Sequence, residues 1–523
     1  MLKNMAIGLS LANLCFLRVW SEMLTYTRAY TYWMKVPPTP AELAAAIFDV
    51  ILLGCFLGLG VHFLRGRFGE GAMKWVRRLF LVSLVIPINA IRAVVSQAVP
   101  DWDFLRSGML LVLGSKGTMV VLAALAVTGF TAILLWDRPL SRGVCVILLM
   151  LSPFVPIVML QAAWASAKYD ASAFRDETPA PLLAVKPDAR RVIWIIFDEM
   201  DQRLSFIDRD PSLQLPELDR FRSESLYAAH AQPPGPETPV SMPGYIVGRM
   251  VRQSYPSSAN RLWLSYTGNG FVPWDQQSNI FQKVRGAGFN SAIVGWYHAY
   301  CRVIGKDVSS CQWWPLAMQY NSFGGVAASQ STPETVRAAM PNVARSVVET
   351  NLFSPFGQSL PTLAHIRTYQ AMLARAEQVV VDRNFQFALI HLPVPHAPHT
   401  YNRETGEFSR KNSPVSAYVD SLALVDRTLG ELRSKMEAAG VWDSTTVLVS
   451  SDHCYRVSEV LDGKWDSRIP FLLKLAGRTG GQTLDQEFNT IISGELLLAI
   501  LKGEVQTAQE AANWIKDHSA LKS

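Results

Sequence analysis

Apolar residues are spread unevenly along the chain. Five stretches near the amino terminus, at about 5–24, 43–64, 79–97, 117–136 and 143–164, approach or reach the roughly 20 apolar residues that a membrane-crossing helix needs. Arg18 and Glu22 interrupt the first and Arg92 the third. The first lacks the small-residue cleavage site of a signal peptide and reads as a crossing. After a stretch rich in Ala, Pro, Asp and Lys (166–189) the pattern changes. Short apolar runs at Val192–Phe197, Ser291–Trp296, Phe387–His391, Thr446–Ser450 and Phe471–Leu475 suit strands buried on both faces of a parallel sheet. Helical patterns lie between them, clearest over Ser416–Ala439, where Gly440 is a stop signal. Strands alternating with helices predict a doubly wound α/β domain. The expected organisation is a bundle of five transmembrane helices (1–165), a linker (166–189) and an external α/β domain with a mostly parallel sheet (190–523).

Composition supports that division. Charged residues make up 18% of the 523 residues, below the roughly 25% of soluble proteins, and 49% are hydrophobic. Such a chain is neither disordered nor disulfide-dense. The net charge of +6 is too small and too scattered to indicate nucleic acid. Orientation follows from Lys and Arg in the short loops. Arg65, Arg67, Lys74, Arg77 and Arg78 follow the second segment, and Arg138 and Arg142 the fourth; the other loops hold only Arg28 and Lys35, and Arg106 and Lys116. The richer loops are expected in the cytoplasm, which places everything after Trp164 outside, in the periplasm of a bacterium with two membranes. Arg18, Asp49 and Arg92 are costly in lipid. They read either as contacts to a lipid headgroup or as paired and snorkelling side chains.

Ligands of α/β sheets gather at the carboxyl ends of the strands. Asp198 and Glu199 follow the first run, His391 ends another with His396 and His399 beyond it, and Asp452 and His453 follow a third. Carboxylates and imidazoles suit zinc or manganese. Singly, these residues also fit a solvated helix start, a cap and a surface imidazole. The segment Glu237–Arg249 says more. Thr238 reads as an N-cap with Pro239 at the first helical position, and a helix start favours an anion. A threonine there, beside a divalent cation, can lose its proton and attack phosphorus. An ordinary capped helix is the plainer reading of the same residues.

The order of Asp198-Glu199, Thr238 with Gly248-Arg249, and Ser451-Asp452-His453 resembles the alkaline phosphatase/sulfatase superfamily. Thr238 stands ten residues before Gly248, as the nucleophile stands before the Gly of a "TG" element in sulfatases and nucleotide pyrophosphatases. His391 through Tyr401 is similar to the His-x4-His-Gly-Pro stretch of bacterial phosphoethanolamine transferases. Tyr418 to Ser421 with Asp426 is similar to the helix that follows it there, and Gly295 to Cys301 to their substrate-side loop. Five amino-terminal helices before an external catalytic domain is also the plan of those transferases and of lipoteichoic acid synthases.

The resemblance implies a metal held by Asp198, Asp452 and His453, zinc or manganese, with magnesium or calcium as further candidates. It makes Thr238 the nucleophile and a metal-adjacent ligand, and His391 and His396 acids or phosphate binders. His298, His396 and His399 would face the substrate, although His399 has no clean counterpart. Glu199 matches a second acidic ligand of sulfatases but a Ser or Thr of the transferases. Cys454 replaces a usual Gly, no His occurs between His453 and His518, and the formylglycine motif of sulfatases is missing. A second metal and sulfate ester hydrolysis are therefore not expected. The function implied is transfer of a phospho-headgroup from a phospholipid donor to an envelope glycan or lipid acceptor, at the bacterial inner membrane. A hydrolase at the same site and a catalytically inactive scaffold are the alternatives. Cys15, Cys55 and Cys145 fall in predicted membrane helices as packing residues. An external, oxidising compartment permits a Cys301–Cys311 disulfide. Cys454 reads as a ligand or a buried thiol, and Trp313-Trp314 as interface or core.

Overall fold

The computed structural model describes residues 1–24, 29–98, 102–186, 189–266, 268, 270–316, 332–348, 360–409, 417–477 and 480–519. Arg28, counted among the loop charges, and Ser416, the expected start of the clearest helix, lie outside the described residues. The chain divides into two units, residues 1–26, 36–171 and 321–356, and residues 27–35, 172–320 and 357–523.

The first unit is helical. Among the described residues, Pro40–Leu64 and Asp137–Ala167 are long and apolar enough to cross a membrane, and Leu2–Cys15 with Leu17–Leu24, bent by 61°, make a third if the pair is one span. The other two expected crossings are less regular. Segment 79–97 is divided at Leu84 between helices Glu70–Ser83 and Val85–Ala98. Segment 117–136 falls, up to Leu135, in helix Trp102–Leu135, whose break at Gly114 (φ 64°, left-handed) precedes it; its apolar part, Met119–Leu135, is shorter than a full span. Helix Pro40–Arg67 begins with a capping box: Thr39 Oγ1 accepts from the Glu42 N–H at 3.2 Å, and the Glu42 carboxylate accepts from the Thr39 N–H at 2.8 Å. Leu2–Cys15 packs on it so closely that a Cβ on Gly8 would collide with the Gly54 carbonyl oxygen, the small-residue packing of helices in lipid. Phe56 (74% exposed), Met119 (70%) and Leu160 (70%) project from these helices, a surface that favours lipid over water. Arg18 pairs with Glu22 one turn on, at 2.5 Å, and Arg92 donates to Asn89 at 2.8 Å.

The second unit is built on an eight-stranded sheet. In chain order its strands are β1 (Arg191–Phe197), β2 (Leu226–Ala228), β3 (Ser291–Tyr297), β4 (Ser310–Pro315), β5 (Phe387–Leu392), β6 (Thr445–Ser451), β7 (Phe471–Lys474) and β8 (Gln482–Leu484). Across the sheet they run β8-β2-β7-β6-β1-β5-β3-β4. β7 is antiparallel to β6 and β2; every other pairing in this sheet is parallel. All of β1 is buried. Val192, Trp194 and Ile196 enter one core with Val240, Ile280 and Leu497, while Ile193, Ile195 and Phe197 enter another with Met372, Leu422 and Val425. Alternate side chains of one strand thus feed two helical layers, which is why the strand carries no polar face.

The stretch expected as a linker is laid along this unit from Ser172 onward. Glu177 N–H donates to Cys301 O and Ala180 N–H to Val308 O, both at 2.8 Å, and Leu183 N–H donates to Asn290 at 2.8 Å. Cys301 and Cys311 are joined in a disulfide. Trp313 is buried in the first core.

Candidate active site

Register brings the acidic residues together. Phe197 on β1 is paired with Ser451 on β6, so Asp198 and Asp452 leave neighbouring parallel strands at one level. On the other side of β1, Ile196 is paired with His391 of β5. His391 Nε2 lies 3.2 Å from Asp198 Oδ2. One ligand atom from each of Asp198, His391 and Asp452 lies within 4.8 Å of the others. All three residues are fully buried.

Thr238 opens the helix Thr238–Val247, whose N-cap is Glu237, one residue earlier than the sequence pattern suggested. The helix turns its hydroxyl away from its own backbone. The N–H groups of Val240 and Ser241 go to the Glu237 carbonyl, at 3.1 and 3.0 Å, and are not free to bind an anion, whereas the helix dipole still favours one at this end. The Thr238 hydroxyl donates to Asp198 Oδ2 at 3.1 Å and lies 3.3 Å from His453 Nε2. At the far end Gly248 has φ 72°, the left-handed C-cap that glycine adopts without strain.

The donor set fits a cation. His453 Nδ1 donates to the Cys454 carbonyl at 2.9 Å, which turns Nε2 toward Asp452 Oδ2 at 3.4 Å and Asp198 Oδ1 at 3.9 Å. A carbonyl partner at one ring nitrogen is the usual way an imidazole is oriented for a metal. Asp198 Oδ1 and Asp452 Oδ2 are buried and receive no hydrogen bond, a costly state for carboxylates without compensating charge. Burial opposes ionisation of Asp452, yet the neighbouring His453 and His391 together with hydrogen bonds such as that from the Glu199 N–H hold the carboxyl below its usual range. Burial likewise opposes the charge of His453, and Asp452, Asp198 and Glu199 hold that imidazole above its usual range. The carboxylates demand positive charge here, from a proton or a metal. Oxygen and imidazole donors suit zinc or manganese.

Glu199 is engaged elsewhere. Its carboxylate accepts from Arg456 Nε at 3.0 Å, and Arg456 also approaches Glu237, at 3.8 Å. Its backbone has φ 65°, strained for a residue with a side chain. Two bonds hold it: Tyr418 Oη donates to the Glu199 carbonyl at 2.7 Å, and the Glu199 N–H donates to Asp452 Oδ1 at 3.1 Å. The strained peptide therefore orients a carboxylate of the cluster.

The other sequence-selected histidines separate. His298 is buried with both ring nitrogens occupied, Nε2 by the Thr238 carbonyl and Nδ1 by Tyr32 Oη, each at 3.1 Å. His399 is buried too; its Nδ1 donates to Pro395 O at 3.2 Å and its Nε2 lies 3.4 Å from Tyr455 Oη. His396 is partly exposed, donates from Nδ1 to Ala397 O at 2.5 Å, and packs edge-on against Trp296. Among these three, His396 alone keeps access to solvent.

Sequence reading passed over Tyr300, whose Oη lies 3.1 Å from His391 Nδ1, and over Arg456 and Tyr32. Arg456 stands three residues after His453, a position that invited inspection. Tyr32 carries no sequence signal at all.

A family model described as Sulfatase matches residues 190–492, which include Asp198, Thr238, His391, Asp452 and His453. No curated protein sequence matches the chain. Among solved structures, the chain is similar to Ps i-CgsB (14% identity, 62% of this chain and 74% of that chain, TM-score 0.41). It is also similar to the PsFucS1 sulfatase from Pseudoalteromonas sp. (15%, 65% and 76%, TM-score 0.41). A third is the lipoteichoic acid synthase LtaP from Listeria monocytogenes (12%, 61% and 75%, TM-score 0.37).

Proposed function

Because the chain belongs to the Sulfatase family, whose enzymes act on sulfate or phosphate esters, we propose that it is a metal-dependent phosphotransferase with Thr238 as its nucleophile. It moves a phospho-headgroup, phosphoethanolamine or phosphoglycerol, from a phospholipid to an envelope glycan or lipid acceptor. The observation that supports this most is the Thr238 hydroxyl, free of any capping bond and 3.1 Å from Asp198. The missing formylglycine motif weighs against sulfate esters.

Two displacements account for transfer. Thr238 Oγ1 attacks the donor phosphorus, the bond from phosphorus to the diacylglycerol oxygen breaks, and the hydroxyl proton passes to the Asp198 carboxylate, already its hydrogen-bond acceptor. His396 is the acid that remains accessible, and its Nε2 is left to protonate the leaving diacylglycerol. The acceptor hydroxyl then attacks the threonine phosphodiester, gives its proton to His396, and Thr238 recovers its own. Asp198, Asp452, His453 and His391 would hold the metal, which when bound neutralises phosphoryl charge and lowers the pKa of the nucleophile.

Five crossings with the α/β domain on the outer side of a bacterial inner membrane would keep this site beside its donor. Tethering to the surface that confines the lipid raises effective concentration. Hydrolysis, with water in place of the acceptor, is the second reading, favoured by the family match itself. Vesicles containing fluorescent phosphatidylethanolamine or phosphatidylglycerol distinguish the two. Diacylglycerol release that depends on added envelope lipid marks a transferase, and release without it marks a hydrolase. No release by folded, metal-loaded protein marks an inactive scaffold.

A further inference from the structure

We propose that Tyr32 is a positioning residue of this active site, acting through His298; the proposal rests on Thr238 being the nucleophile. Tyr32 sits in a short turn, Tyr30–Trp33, that lies between two apolar helices in the sequence but belongs to the α/β unit. It is fully buried, and its Oη lies 3.1 Å from His298 Nδ1. The other nitrogen of that ring lies 3.1 Å from the Thr238 carbonyl oxygen. A carbonyl only accepts, so Nε2 carries the hydrogen; a neutral imidazole then offers Nδ1 as an acceptor, and Tyr32 donates to it. The ring is buried among the aromatic rings of Trp274, Tyr297 and Tyr300, surroundings that disfavour a charged imidazole. The relay has a single polarity, from Tyr32 O–H to Nδ1 and from Nε2–H to the carbonyl of the nucleophile itself. Fixing the tautomer of one ring thereby fixes the peptide that carries Thr238.

The turn that delivers Tyr32 is anchored on its own account. Buried Arg302 donates from Nη2 to the carbonyls of Met34 and Lys35 and from Nη1 to Ala259 O at 3.0 Å, with its guanidinium 4.8 Å from the Trp313 ring. Lys35 pairs with Asp176 at 2.7 Å. Trp33 meets Tyr297 edge-on at 6.2 Å. Moving the turn would strip acceptors from a buried guanidinium, a costly change. Residues Tyr30–Lys35 are therefore a working part of the catalytic unit.

The test uses full-length protein in lipid nanodiscs with 15N-labelled histidine, the His298 signals being assigned by their loss in His298→Gln. The parent should show a neutral ring protonated at Nε2 across about pH 6 to 8. Tyr32→Phe should shift the Nδ1 signal and slow release of diacylglycerol from fluorescent phosphatidylethanolamine roughly tenfold in kcat, with KM within about twofold. The double variant should be no slower than His298→Gln alone, since both changes cut one relay. A proton on Nδ1 in the parent overturns the proposal, and does so even if Tyr32→Phe fails to fold. Losses that add in the double variant also overturn it and leave the Thr238 reading standing. Full turnover by Thr238→Ala, run alongside, overturns that reading whatever Tyr32→Phe does.

Discussion

The Thr238 hydroxyl donates to Asp198 across 3.1 Å instead of capping the helix that Thr238 begins. A hydroxyl that served as a cap would cost about 1 kcal/mol of stability when removed. Thr238→Ala is expected to retain the fold and metal yet lower turnover by at least about a thousandfold, as loss of a nucleophile does. Thr238→Ser should keep part of the activity, because a primary hydroxyl can reach the same phosphorus. Thermal unfolding and lipid turnover, measured on the same preparations, check both halves.

Asp198 Oδ1 and Asp452 Oδ2 are buried without hydrogen bonds. Purified protein should carry about one zinc or manganese per chain, and Asp452→Asn should lose most of it. Chelation should lower the unfolding temperature of the parent, since a metal that binds only the folded state stabilises it by mass action. Elemental analysis and calorimetry test this. Folded protein, never exposed to chelator and free of metal, would contradict the assignment.

Much of the site was legible because strands buried on both faces appear as unbroken apolar runs, and Asp198, His391 and Asp452 close or follow such runs. Sequence order could not supply hydrogen-bond partners. His298, His391 and His396 look alike in a motif, yet Tyr32 and Tyr300 occupy two of them and leave His396 available. Glu199 reads as a ligand by adjacency, and no sequence signal shows that its Oε1 accepts from the Arg456 guanidinium. Tyr32 and His298 are 266 residues apart, a distance no local pattern bridges. Apolar run length located the helices Pro40–Leu64 and Asp137–Ala167 that are long enough to cross a membrane, but the break at Leu84 has no counterpart in it.

Asp426 accepts from the Leu218 N–H at 2.8 Å, and burial pushes its carboxyl up to about 6. Between about pH 4 and 6 the folded protein keeps a proton that the unfolded chain has lost. Its contribution to stability therefore falls as pH rises through that window, and the penalty is complete above it. Asp426→Asn keeps the acceptor and removes the charge. It should stabilise the protein by on the order of 1 kcal/mol at about pH 8 and have little effect near pH 4. Unfolding temperatures of both proteins at the two pH values decide; an equal shift at both would show that charge is not the cause.

The Cys301–Cys311 disulfide closes a short loop, with a sequence separation of 10, immediately after Tyr300. Replacing both cysteines by Ser should cost about 2–3 kcal/mol. Turnover should fall as well, because Tyr300 is the partner of His391 Nδ1. The same loss should appear when the parent is reduced, and reductant should leave the double variant unchanged.

The central claim is that Thr238 carries the headgroup between donor and acceptor. Its most direct test is incubation of the parent and Thr238→Ala with phosphatidylethanolamine radiolabelled in the headgroup, without acceptor, followed by acid quench, proteolysis and peptide mass spectrometry. Label is expected on the peptide containing Thr238 in the parent, discharged when envelope lipid is added before the quench, and none in the alanine variant. Label on another residue, or equal turnover by the two proteins, would contradict it.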